Sequence, residues 1–145
     1  MADALSLGAS VLAFVTVAAQ LTRITYTFFD SIKDAPEDIR RLPERLKDLQ
    51  FILQQIYQLG TINPQYEADP DIRGYWDIKA AKLQRDFDEF RTFAEGLKAK
   101  DIRGRVKWFL SDHDRAKKIL SLLCEDIEVL RCLHQIMESC VFFLD

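Results

Sequence analysis

A chain of 145 residues with 48% hydrophobic and 11% aromatic content has enough apolar surface for one core, so residues 1–145 read as a single globular domain. Its 20 Lys and Arg against 23 Asp and Glu leave a net charge of −3, which excludes the basic footprint of a nucleic-acid binder and leaves electrostatic recognition to a local patch. Five Gly and four Pro are few, a composition suited to long helices.

No charged side chain occurs between Asp3 and Arg23. A secretory signal carries basic residues before its apolar stretch and a small-residue cleavage site after it, whereas the early side-chain charge here is Asp3, so no cleaved signal is expected. The stretch predicts a helix from Ala4 to Ser31, free of proline and with one glycine, Gly8. Leu5, Val11, Leu12, Phe14, Val15 and Val17 point around the whole helical circle, and Ser6, Ser10, Thr16 and Gln20 form no continuous wet face. A helix apolar all round is buried on every side or sits in lipid.

Asp34 and Glu37 then have capping-box spacing, with Pro36 in the first turn of a second helix. Leu42, Leu46, Leu49, Leu53 and Ile56 step by four and three along it, and Pro43 is expected to kink it or to mark off a short first piece. The segment GTINPQYEADPDIRG, Gly60 to Gly74, reads as the longest loop. A third helix is predicted from Tyr75 to Lys98 on the stepping of Trp76, Ala80, Leu83, Phe87, Phe90, Ala94 and Leu97. After a connector, Ser111 and Asp114 open a final helix whose apolar arc runs from Ile119 to Val141 and which reaches the chain end. The expected fold is therefore all-α, a bundle of four or five helices around an apolar N-terminal helix. An apolar helix running to VFFLD without a stop signal is expected of the N-terminal part of a longer protein.

Catalytic chemistry has no visible constellation, so no enzyme activity, metal or cofactor is expected. His113 and His134 are too far apart for one site, and no HExxH or glycine-rich phosphate motif occurs. Cys124, Cys132 and Cys140 are eight residues apart on one helix, roughly 12 Å each, too far to bridge. They read as buried or half-buried thiols of a reducing compartment. Asp86, Asp88 and Glu89 read as a solvated face. Asp126 falls inside the apolar arc of the last helix and is expected either to be paired or to lie at the arc's wet edge.

The connector KAKDIRGRVKWF gathers Lys98, Lys100, Arg103, Arg105 and Lys107 beside Trp108 and Phe109. Basic charge next to aromatics suits an anionic membrane surface. The same residues also suit a tight turn plugging the end of the bundle. For the first helix the two readings are a core element and an inserting one, and they are compatible. Nineteen uncharged residues, Ala4 to Thr22, cover about 28 Å, close to the hydrocarbon thickness of a bilayer.

Three segments carry a resemblance: the opening MADALSLGASVLAFVTVAAQL, KDAPEDIRRLPERLKDLQFIL, and RVKWFLSDHDRAKKILSLL. In this order they resemble the N-terminal HeLo-like domains of fungal NLR-type (STAND) proteins, also described as pigment-cluster-protein-L-like N-terminal domains, although that family usually continues its second helix without a proline such as Pro43. The resemblance implies a helical bundle ahead of a nucleotide-binding oligomerisation domain or an amyloid-type motif, with an execution role in programmed cell death. It implies a cytoplasmic protein that self-associates on activation, moves to the plasma membrane and inserts its N-terminal helix into lipid. Carried onto this chain, the inserting residues are Leu5, Leu7, Val11, Leu12, Phe14, Val15, Val17 and Leu21, and the anionic-lipid patch is Lys98, Lys100, Arg103, Arg105, Lys107 and Trp108. The alternative is a non-lytic module that recruits or oligomerises partners through its charged helix faces.

Overall fold

The computed structural model describes residues 6–30, 37–98 and 113–144. Four long helices dominate: α1 (Leu7–Asp30), α3 (Leu42–Ile62), α4 (Pro70–Lys98) and α5 (His113–Leu144). A single turn, α2 (Glu37–Arg40), precedes α3, and a 3-10 segment, η1 (Pro64–Ala68), precedes α4. No strand occurs among the described residues. The fold is the expected all-α bundle with an apolar N-terminal helix.

Each long helix presents one stripe to the core. On α1 the stripe is Leu7, Val11, Phe14, Ala18, Leu21, Thr25 and Phe28, and on α3 it is Leu42, Leu46, Leu49, Leu53 and Ile56, all buried. Ala116, Ile119, Leu123, Asp126, Leu130, Leu133 and Met137 form the stripe of α5. Steps alternating between three and four keep such a stripe on one side and fit the packing of a left-handed bundle. α1 packs against α3 and α4, and α5 packs against the same two, so the four helices close a ring in which α1 lies across from α5. α1 runs antiparallel to α3: Gly8 lies beside the Tyr57 ring, and the Lys47 ammonium sits 5.0 Å from the centre of the Tyr26 ring.

Two expectations change. Gly60 to Gly74 is not a loop: α3 runs on to Ile62, and α4 starts at Pro70, five residues before Tyr75. Pro64 and Pro70 stand at helix starts, where a missing N–H costs nothing, instead of interrupting helices. Asp69 caps α4, its Oδ1 accepting from the N–H groups of Asp71 (2.9 Å) and Ile72 (3.3 Å). Ser6 caps α1 at Leu7, its Oγ accepting from the Ala9 N–H at 3.0 Å. Pro43 falls in the first turn of α3 and separates it from α2, the second of the two outcomes expected of it. The proposed cap at Asp34, the helix ends at Ala4 and Ser31, and Ser111 lie outside the described residues.

Candidate functional site

α1 is the helix long and apolar enough to cross a bilayer among the described residues, over Leu7–Phe29. Of the residues singled out for insertion, Leu7, Val11, Phe14, Val15 and Leu21 are buried in the core. Leu12 is 45% exposed and Val17 is half-buried, while Leu5 lies outside the described residues. Ala9, Ala13, Thr16, Gln20, Arg23 and Thr27 form an open stripe on the opposite side. The wet face therefore exists, although alanines fill two of its positions and hide it from a reading by polarity. Thr22 and Thr25 are buried without cost to the core because each hydroxyl donates to a carbonyl one turn back, of Ala18 and Leu21 respectively.

The middle of α1 is held by aromatic packing. Phe14 meets Trp76 edge-on at 5.7 Å and Phe87 at 5.6 Å between ring centres, which places two α4 aromatics against one α1 ring. The indole N–H of Trp76 donates to Ser10 Oγ at 3.1 Å, satisfying a buried donor and tying α4 to α1.

The N-terminal end is held by charge. Glu67 of η1 accepts from the Leu7 N–H through Oε2 (3.0 Å) and from the Gly8 N–H through Oε1 (3.1 Å). Arg73 donates to the same carboxylate at 3.0 Å, and its Nε lies 3.5 Å from Asp77. Next to Glu67, the buried Tyr66 donates its hydroxyl to the Met137 carbonyl of α5. Two adjacent residues of η1 thus bind opposite sides of the ring. Neither tie was visible in the sequence, because the segment reads as a loop and the bonds span 60 and 71 residues.

A second polar cluster joins α4 to α5. Asp126 occupies a core position of the α5 stripe and is 4% exposed. Lys82 Nζ lies 3.0 Å from its Oδ1 and 2.9 Å from Asp86 Oδ2. Asp126 is thus paired, the first of the two alternatives expected. Asp86, by contrast, is no solvated carboxylate: its side chain is 11% exposed, because Lys82 draws it against α5. Burial, and then the neighbouring Asp86 carboxylate, push the Asp126 carboxyl up to about 7, and Lys82 offsets only part of that. Lys82 is itself raised; burial opposes its charge, but its bonds to Asp86 and Asp126 outweigh that. Asp88 is exposed, and Glu89 pairs with Lys118 at 3.2 Å.

Cys124 and Cys132 are exposed, contrary to the expected burial, because both fall on the solvent side of the α5 stripe. His134 lies 3.3 Å from Glu138, one turn on. Among the described residues no three His, Cys, Asp or Glu side chains are grouped to hold a metal ion. The basic patch Lys100, Arg103, Arg105, Lys107 and Trp108 lies outside the described residues, and Lys98 ends α4.

Residues 2–69 match the model of the family described as pigment biosynthesis cluster protein PigL N-terminal. The match covers α1 to η1, just under half of the chain, and supports a domain of that type over this stretch. It takes in Glu67 and stops short of Arg73. No curated protein and no solved structure matches the chain.

Proposed function

We propose that this chain is a membrane-targeting, cell-death-inducing effector domain of a fungal immune-type receptor or its partner, acting by oligomerisation and insertion of α1 into lipid. The observation that supports the reading most is α1 itself, a 23-residue apolar span with one face open to solvent. In the closed bundle most of its larger apolar groups face the core, and the N-terminal half of the open face, Ala9, Ala13 and Thr16, carries little that lipid would reject, with Gln20 and Arg23 confined to the other half. Anionic lipids are the expected partner, met by Lys98, Lys100, Arg103, Arg105, Lys107 and Trp108. No catalytic activity or cofactor enters the proposal.

Leu12 supplies the test. At 45% exposure it accepts a charge without opening the core. An aspartate costs about 2.5–3.5 kcal/mol at the centre of an inserted helix, and at Leu12, six residues into the span, a large part of that, up to roughly a hundredfold. Leu12→Asp is therefore expected to melt like the wild type and yet to lose up to about a hundredfold in dye release from anionic liposomes, with both proteins clustered by a fused oligomerising tag. Equal leakage from a folded variant would show that α1 is not the inserting element. If neither protein leaks, the non-lytic interaction module replaces this reading; its support is the exposure of Phe51 (61%) and Ile78 (69%) on otherwise polar faces.

A further inference from the structure

We infer that Glu67 is an intramolecular latch: its carboxylate, seated on the first two amides of α1 and braced by Arg73, holds the N-terminal end of the inserting helix closed. For its consequence this rests on the membrane reading above; the contact itself does not.

A helix leaves its first four N–H groups without partners in its own backbone. In α1 the three that follow the Ser6 cap, from Leu7, Gly8 and Ala9, are all satisfied. The Ala9 N–H reaches Ser6 Oγ at 3.0 Å, within the local chain. The other two, from Leu7 and Gly8, are taken by separate oxygens of one carboxylate 60 and 59 residues away. A local residue could have capped them. Placing the acceptor on η1 converts a cap into a tertiary tie, strengthened because an anion meets the positive end of the helix dipole.

The packing around this end is thin. Beside Glu67, an open groove of about 350 Å³ lies between α1 and α3, lined by Ser6, Gly8, Ala9, Leu12, Tyr57 and Gly60. A methyl at Gly8 would meet the Tyr57 ring only at 3.7 Å, an ordinary contact. The first turn is therefore held mainly by Leu7 and the carboxylate, whereas the next turns are held by Phe14, Trp76 and Phe87. Glu67 is itself 39% exposed in its side chain, so water and ions reach the tie and it can open. Its far side is fixed, because Tyr66 anchors η1 to α5 and Arg73 fixes the carboxylate from α4. Opening the contact loosens the first turn of α1 and leaves η1 in place.

The test combines amide exchange with leakage, using the whole chain as wild type, Glu67→Gln, Arg73→Gln and a control, Glu44→Gln, on the exposed face of α3. Glu67→Gln is expected to speed exchange of the Leu7, Gly8 and Val11 amides about tenfold, the factor for one charge-assisted hydrogen bond. Arg73→Gln gives a smaller effect and Glu44→Gln none, while melting shows every variant folded. Clustered on anionic liposomes, Glu67→Gln is expected to release dye faster than wild type by a similar factor. Unchanged exchange at Val11 overturns the latch, whatever the leakage. Faster exchange with leakage equal to wild type overturns its control of insertion. Faster exchange with no leakage from any protein overturns the membrane reading and the control of insertion with it, and the tie is then only structural.

Discussion

Replacing Asp126 with Asn should make the stability of this bundle nearly independent of pH over a range where the wild type is not. Asp126 is 4% exposed, and its carboxyl is held at about 7, up from 3.8. A raised acid binds its proton more tightly in the folded state than in the unfolded one. The resulting stabilisation is complete below the unfolded value near 4 and is lost as the pH rises through 7. Each pH unit in that window is worth about 1.4 kcal/mol, so between pH 5 and pH 8 the wild type should lose about 2–3 kcal/mol from this group. Asn keeps an oxygen for Lys82, so the variant retains that contact without the buried charge. Urea denaturation at pH 5, 6, 7 and 8 reads the difference between the two proteins, which cancels every other titrating group. The advantage of the variant over the wild type should grow by roughly 2–3 kcal/mol from pH 5 to pH 8. Parallel profiles would mean that Asp126 ionises in the fold as it does in water.

Further outcomes follow from the same contacts. Lys82→Met removes the cation that offsets two carboxylates, so it should destabilise the bundle by about 3 kcal/mol at pH 8 and less at pH 5, read by the same titration. Ser10→Ala deletes the acceptor of the buried Trp76 indole, at a cost of about 1–2 kcal/mol in urea denaturation with little change in the helical signal. Cys124 and Cys132 should be labelled by a thiol reagent in the native protein without prior unfolding; protection of both would contradict their exposure.

The stepping of three and four was legible throughout, and with it the bundle, the core stripes and the place of Asp126 inside one of them. What could not be read was every contact that depends on two distant segments meeting. Glu67 lies between two prolines in a stretch that looks like a loop, and nothing near it announces a partner at Leu7. Asp86 looked like one carboxylate in a charged run, and only the approach of Lys82 to α5 shows that it belongs to a buried cluster. The open face of α1 was missed for another reason. Alanine counts as apolar by composition but fits an exposed helix surface, so Ala9 and Ala13 disguised an amphipathic helix as a uniformly apolar one.

The burial of α1 also constrains how it could reach a membrane. Leu7, Val11, Phe14, Val15, Leu21 and Phe28 are all buried. At about 1.5–3 kcal/mol for each such side chain, moving them into water costs roughly 9–18 kcal/mol. That is as much as the whole stability of an ordinary domain, about 5–15 kcal/mol, so a released helix in water is equivalent to an unfolded protein. Under the proposed function, α1 must therefore pass from core to lipid without an aqueous stage, with the apolar surface handed from one environment to the other. The Glu67 tie is small on this scale. On that reading it sets which end of α1 opens first, and that end borders the open groove and carries the exposed Leu12, so the first turns would meet lipid while Phe14 and Phe28 still hold the rest of the helix in the bundle.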